Sequence, residues 1–385
     1  MNELLVDLRD EHTLTRLIAE STPLTNHLVL GPAESAPGLG LARIPVDGVE
    51  KAVEALRADH LVPADAPAEL DTLITALRGL ARAAYGDWTP VIDRNHDVGD
   101  VELNPHVKIA VGDPAEDASP GVTRLVGTGF PGGPRIGVAD AQIYAHPTLA
   151  GRYLGEPLTG AGPFPTMAPG HATFVAGTIL RREPSARLVC RAVLVPPAPG
   201  GSGEANTSWA VANRLLAFLD DDVSILNMSF GCQTDGSPPL PLRRALDRLS
   251  GSIVLVAAAG NHGENTIPAA VYPAAFGDVV AAGATEGPGG TIAPTTPSVP
   301  WLDLLAPGVD VVGPFAPAVA LRAESAPTVF RSGYARWSGS SFAAANVTGA
   351  IARLMVAERI DAFAARDLLL SEPQPDIRPF VLGGV

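Results

Sequence analysis

A serine stands in this sequence where a serine becomes a nucleophile. Gly339-Ser340-Ser341-Phe342-Ala343-Ala344-Ala345 is a small-residue turn that runs directly into an Ala-rich stretch with helical character. A hydroxyl at a helix start sits beside backbone N–H groups that lack intrahelical acceptors and favour developing negative charge. Gly-Ser-Ser by itself is an ordinary turn tripeptide, so the reading depends on partners. Three other segments hold the residue types required. His171, in Pro169-Gly170-His171-Ala172-Thr173-Phe174-Val175-Ala176, opens a small and apolar run suited to a buried helix. Imidazole, with its near-neutral pKa, is the usual general base for a serine. Asp140 ends the apolar stretch Arg135-Ile136-Gly137-Val138-Ala139-Asp140, where a carboxylate is costly to bury unless paired. Facing a histidine, it would orient the ring and stabilise its protonated form. Asn261 follows the apolar run Ile253-Val254-Leu255-Val256-Ala257-Ala258-Ala259-Gly260, and an asparagine amide can donate to a tetrahedral oxyanion. Each residue also has a plainer reading: one of eight histidines satisfied in a core or at a surface, a turn aspartate, a left-handed turn asparagine.

These groups need a rigid frame, and the pattern from Arg135 onward supplies one. Strand-like apolar runs at 187–195, 223–228 and 253–258 alternate with helical stretches at 208–219 and 239–249. That alternation predicts an α/β fold, a parallel sheet with helices on both faces. Sites in such folds lie beyond the carboxyl ends of strands, which is where Asp140 and Asn261 fall. Residues 1–67 read as a separate small α+β unit. Strands are expected at 4–8, 27–30, 39–45 and 61–63, and helices at 11–19 and 49–58, in the order βαββαβ. Leu70, Leu73, Ile74, Leu77, Leu80 and Ala81 lie at helical spacing and predict one amphipathic helix over 68–86, packed on a neighbouring domain. Residues 87–125 read as polar linker, and 310–335 as a Pro/Ala-rich loop. The expected division is 1–67, 68–129 and 130–385.

In the order Asp140, His171, Asn261, Ser341, the four segments resemble the subtilisin-like serine proteases (subtilases); other folds carry the same triad in other orders. The resemblance extends from about residue 130 to about residue 360. It includes Asn227-Met228-Ser229-Phe230-Gly231, Tyr272-Pro273-Ala274, Ala306-Pro307-Gly308 and His146-Pro147. The resemblance implies a serine endopeptidase: Ser341 as nucleophile, His171 as base, Asp140 as orienting carboxylate. The Asn261 amide and the Ser341 N–H would form the oxyanion hole. Ser229, Phe230 and Gly231 would pair with an extended peptide substrate, and Ala257, Ala258, Ala259 and Gly260 would line the primary specificity pocket, leaving room for a medium or large apolar side chain. It also implies a ferredoxin-like, propeptide-like or accessory domain over 1–67, whose end around 62–67 would lie in the cleft. Pro63 and Pro67 fit that place poorly, which favours a permanently attached domain. Three departures stand out: Ala141-Gln142 after the aspartate, Phe174 where the family has a second histidine, and Ala345-Asn346 where it has Pro-His. The first leaves a second reading open, a subtilase fold kept as a weakly active or inactive peptide-binding module.

Composition narrows the partners. The chain has 385 residues, a net charge of −14 and 18% charged residues. That balance argues against nonspecific binding to nucleic acid or anionic membranes and leaves a peptide or protein substrate. No apolar stretch reaches the ~18 residues of a membrane span. The start, Met1-Asn2-Glu3-Leu4-Leu5-Val6-Asp7, lacks the basic and apolar regions of a secretory signal, so a cytoplasmic protein is expected, either a dedicated maturation protease for one intracellular precursor, which the missing signal and the attached N-terminal unit favour, or a general scavenger. Cys190 and Cys232 are the only cysteines and are expected to be reduced, with Cys232 near the cleft. No cofactor is expected. Many subtilases bind structural calcium, and the acidic stretches 113–117 and 220–222 carry oxygens of the right kind.

Overall fold

The computed structural model describes residues 2–99, 111–117, 132–195, 206–234, 237–263, 270–287, 290–321 and 326–381. Much of the polar stretch read over 87–125, namely 100–110 and 118–125, lies outside the described residues. The chain divides into two units: one of Met1–His96 with Thr207–Asn213 and Pro239–Ala245, the other of Asp97–Asn206, Arg214–Pro238 and Leu246–Val385.

The first unit contains β1 (Asn2–Asp7), α1 (Glu11–Glu20), α2 (Thr22–Thr25), β2 (Val29–Leu30), β3 (Glu34–Ala36), β4 (Leu41–Asp47), α3 (Val49–Ala58), α4 (Leu70–Ala84) and β5 (Ile92–Arg94). All pairings are antiparallel: β1 lies between β4 and β5, and β4 also pairs with β2 and β3. The unit's core joins Leu4 and Val6 of β1 and Ile44 and Val46 of β4 to Leu14, Leu17, Val53 and Leu56 from the helices. Helix α4 presents Leu70, Leu73, Ile74, Leu77 and Ala81 to that core, which is the stripe the periodicity predicts. The expected strand at 61–63 is instead a turn. The Leu61 N–H returns to the Leu56 carbonyl (2.8 Å), and Pro63 has no N–H for a ladder. The free edge of β1 is filled by β5, beyond α4.

The second unit follows with β6 (Val111–Glu116), β7 (Arg135–Asp140), β8 (Tyr153–Leu154), α5 (Ala168–Arg182), β9 (Arg187–Ala192), α6 (Ser208–Leu215), β10 (Ile225–Met228), β11 (Cys232–Gln233), α7 (Leu240–Leu249) and β12 (Val254–Ala258). It continues with β13 (Val271–Tyr272), β14 (Val279–Thr285), β15 (Leu304–Pro307), β16 (Val311–Pro314), β17 (Ala318–Val319), β18 (Thr328–Val329), β19 (Tyr334–Ser338), α8 (Ser340–Glu358), α9 (Ala362–Ser371) and β20 (Arg378–Pro379). The N-terminal parts of α6 and α7 are counted with the first unit. Eight strands form one sheet in the order β20-β15-β14-β12-β10-β7-β9-β8, parallel throughout except for β20. The central strands β10, β12 and β14 are buried along their whole length and β7 from Ile136 onward, so they read as continuous apolar runs rather than alternating ones. Helix α8 packs against α5 and against β10, β12, β14 and β15. Every residue from Ser340 to Ala352 is buried, which explains why that helix begins almost wholly small and apolar. The stretch read as a loop over 310–335 instead builds β16, β17, β18 and the start of β19, with β19 between β16 and β6. Among the described residues, no helix is long and apolar enough to cross a membrane.

Candidate active site

Three neighbouring parallel strands bring the site together. In the register, Ala139 of β7 lies beside Met228 of β10, and Met228 beside Ala257 of β12. The chain leaves these strands at the same edge of the sheet. Asp140 ends β7, Ser229-Phe230-Gly231 follows β10, and Ala259-Gly260-Asn261 follows β12. Gly260 takes φ +96°, a left-handed conformation that frees the strand to turn and deliver Asn261.

Asp140 is buried, and its Oδ1 accepts the Ala141 N–H at 2.7 Å. Both its oxygens lie 3.0 Å from Nδ1 of His171. His171 sits in the first turn of α5 at 1% exposure, so the pair is shielded from water. Burying a carboxylate is tolerable here because the imidazole and a backbone amide both face it. The ring is held by aromatic walls: the centroids of Trp337 and Phe342 lie 5.6 and 5.8 Å from it. Phe174 is buried in the same cluster, 4.4 Å from Phe342 centroid to centroid, and so fills core rather than facing solvent. Gly170 has to be glycine, since a Cβ there would meet the Phe315 ring at 2.2 Å.

Ser341 is buried in the first turn of α8, where backbone N–H groups have no i−4 carbonyl. Its neighbours are tied to the Asn261 turn. Ser340 N–H donates to Asn261 Oδ1 (2.9 Å), and the Gly260 N–H donates to Ser340 Oγ (3.2 Å). With its oxygen so engaged, Asn261 keeps a buried Nδ2 with no hydrogen-bond partner among the described residues. Unpartnered buried donors are costly, so one that persists beside a helix start calls for an explanation. A second polar chain runs beneath: Thr348 Oγ1 donates to Asn227 Oδ1 (3.0 Å), Asn227 Nδ2 to Ser229 Oγ (2.9 Å), and Ser229 Oγ to the Ser341 carbonyl (3.3 Å). It ties the segment after β10 to the Ser341 backbone.

Ser229, Phe230, Ala257, Ala258 and Ala259 are fully buried, and Gly231 and Gly260 are buried with them. Sequence reasoning passed over three residues here. Asn346 accepts Arg182 Nε (2.7 Å) and donates to the Pro307 carbonyl (2.8 Å), clamping α8 to α5 and to the Ala-Pro-Gly turn. His262, next to Asn261, has its pKa lowered by burial, and its Nε2 is buried without a partner among the described residues. Gly99 pairs with Gly231. Cys232 is a buried free thiol paired through β11 with Tyr272, and Cys190 is another, its thiol pushed up by burial. Within the acidic stretches, Asp221 is bonded by Arg191 and Asp117 by Arg336. Among the described residues no three His, Cys, Asp or Glu gather as metal ligands.

Residues 132–369 match the profile of the subtilase family. A thermophilic serine proteinase of Bacillus sp. (strain AK1) is 29% identical over 236 residues, covering 58% of this chain and 52% of that protein. The major intracellular serine protease of Bacillus subtilis (strain 168) is 26% identical over 190 residues, covering 48% and 54%. The chain thus spans about half the length of these relatives. Its fold is similar to that of fervidolysin, a keratinolytic enzyme of Fervidobacterium pennivorans. There the TM-score is 0.60 at 17% identity, over 96% of this chain and 56% of that one. The family profile covers most of the chain and every segment of the site, and on that ground the chain belongs to the subtilase family.

Proposed function

We propose that the protein is a serine endopeptidase that cuts peptide bonds through an acyl-enzyme on Ser341. The observation that carries this reading is the buried, unpartnered Nδ2 of Asn261 beside the serine's helix start. A retired scaffold would gain by bonding or replacing that donor; a catalyst has reason to leave it open. In this reading His171 takes the Ser341 hydroxyl proton as Oγ attacks the scissile carbonyl. Asn261 Nδ2 and the Ser341 N–H then receive the oxyanion. His171 returns the proton to the departing amine, and water, deprotonated by the same ring, releases the acid. Asp140 holds the ring by Nδ1 and stabilises its charged form. Peptide substrate would pair as a strand along Ser229-Phe230-Gly231, its primary side chain against Ala257–Gly260. The similarity to an intracellular serine protease supports action on an intracellular precursor protein.

Labelling by a fluorophosphonate tests the reading. The wild-type chain is expected to gain one adduct on Ser341, and Ser341→Ala none. Absence of an adduct on a folded wild-type chain, or equal labelling of both, overturns it. A cleavage profile on a peptide library would then define the side chain accepted.

A further inference from the structure

The first turns of α8 carry Ser341 but contain little that would pin them in place. The cap residue is Gly339, which has no side chain to bond the first amides. Ala343, Ala344 and Ala345 are fully buried yet offer only methyl groups, so the ridges that would stop the helix from turning or sliding are shallow. A reactive serine on such a helix has to be held from elsewhere, because a misplacement of about 1 Å costs a reaction about a hundredfold.

One turn supplies that hold. Pro307 ends β15 and Gly308 follows it. The Pro307 carbonyl accepts Asn346 Nδ2 at 2.8 Å, and the Gly308 carbonyl accepts the Gly339 N–H at 2.7 Å. Two consecutive carbonyls therefore grip α8 on either side of Ser341, two residues before it and five after. Five residues turn a helix through about 500°, so Asn346 lies about 140° around from the serine and opposes a rotation that the front bond alone would allow. The turn is itself fixed. The Gly308 and Val309 N–H groups both donate to the Thr285 carbonyl, at 3.1 and 3.2 Å. A Cβ on Gly308 would meet Ala284 at 2.6 Å and the Gly339 carbonyl at 2.8 Å, so the contact is already close.

The other end of the same amide reaches the helix that carries the base. Asn346 Oδ1 accepts Arg182 Nε at 2.7 Å, and Arg182 is the last residue of α5, which has His171 in its first turn. Arg182 is held in turn by Asp376, at 2.6 Å. Gly349 lets the two helices approach here, since a Cβ there would meet the Arg182 Cβ at 2.5 Å. At the front of the same helices, Phe342 lies 5.8 Å from the His171 ring, centroid to centroid. Asn346 is 1% exposed and bonded through both its polar atoms, so water does not compete for either bond.

We propose that Asn346 is a positioning residue for the nucleophile: through the Pro307 carbonyl and Arg182 it sets the rotation and height of α8, and so where Ser341 stands relative to His171. This rests on the endopeptidase reading. Asn346 touches no substrate and moves no proton; it acts through the helix. Its loss lowers the rate of the chemical step and leaves peptide binding nearly level.

The test measures kcat, KM and the rate of fluorophosphonate labelling for the full chain and three variants, with urea unfolding to compare stability. Asn346→Ala removes both bonds. Asn346→Asp keeps an acceptor for Arg182 and replaces the donor to Pro307 by a second oxygen. Val347→Ala, at a fully buried neighbour on the same helix, opens a cavity without touching either bond. Both Asn346 variants are expected to lose about 10- to 100-fold in kcat and in labelling rate alike, with KM within about twofold of wild type. Val347→Ala is expected to lose stability yet keep both rates within about twofold. Should Asn346→Ala not fold, Asn346→Asp carries the test, since its carboxylate still faces Arg182. Asn346 variants that react at the wild-type rate, a rate loss matched by Val347→Ala, a loss confined to KM with labelling unchanged, or failure of both Asn346 variants to fold each overturns the proposal and spares the endopeptidase reading. A wild-type chain that neither labels nor cleaves overturns both.

Discussion

A buried aspartate closes an apolar strand in each unit, Asp7 in the first and Asp140 in the second, and their surroundings differ in kind. Asp140 ends β7 and Asp7 ends β1; they are 1% and 2% exposed. Asp140 faces an imidazole, which gains and loses a proton near neutral pH. Asp7 faces guanidinium groups, which do not: Arg9 bonds it through Nε and Nη2 at 2.8 Å each, and Arg244 through Nη2 at 2.5 Å. Strand-end burial is thus common to both, and the partner decides the use. A permanent cation makes a fixed ion pair, good for holding a sheet corner. A titratable ring makes a pair whose charge can appear during a reaction and vanish after it.

The comparison breaks most visibly in catalysis. Ser341→Ala or His171→Ala is expected to lower kcat for peptide hydrolysis by roughly 10⁶, the scale of such losses in subtilisin, with the double variant scarcely worse. Asp140→Asn keeps the shape and loses the charge, and should cost roughly 10⁴. Asp7→Asn, the matching change in the other unit, should leave kcat within about twofold. Comparable kcat losses at both aspartates would erase the distinction. Next in size is Asn261→Ala. Its Nδ2 has no partner among the described residues and would bond the oxyanion, so kcat should fall about 10²–10³ while KM stays nearly level. A KM that rises as much as kcat falls would make Asn261 a pocket wall rather than a donor.

The sequence carried the second unit more legibly than the first. Its strands are buried on both faces, so composition alone marks them, and the site residues lie in motifs read whole from short segments. Helices fared similarly where one face is buried: the stripe at Leu70, Leu73, Ile74 and Leu77 located α4. Edge pairing was harder. Nothing in Leu61-Val62-Pro63 or Ile92-Asp93-Arg94 says which one completes a sheet; chain geometry and a missing proline N–H decide it. The Gly99–Gly231 bridge is harder still, since it pairs backbones over a long separation and glycine side chains leave no pattern. Asn346 was passed over because the family comparison asks what a residue replaces, while its two bonds answer what it holds.

The smallest predicted effect tests the fixed pair itself. Hydrogen bonding by the Arg9 side chain, aided by Arg244, holds the Asp7 carboxyl down to about 2 from its ordinary 3.8. A carboxyl that is harder to protonate in the folded state stabilises folding wherever it is ionised in both states. As pH falls through about 4 the unfolded chain takes up a proton first, and the advantage drains away until the folded group protonates near 2. Above about pH 5 the contribution is complete. Asp7→Asn should therefore destabilise by about 1–2 kcal/mol at pH 7, allowing for solvent around the exposed Arg9 end. Urea unfolding followed by tryptophan fluorescence should show that difference falling to about half by pH 3. A difference that is constant from pH 7 to pH 3 would mean that Asp7 acts through shape and hydrogen bonds alone, and that its charge, unlike that of Asp140, contributes nothing.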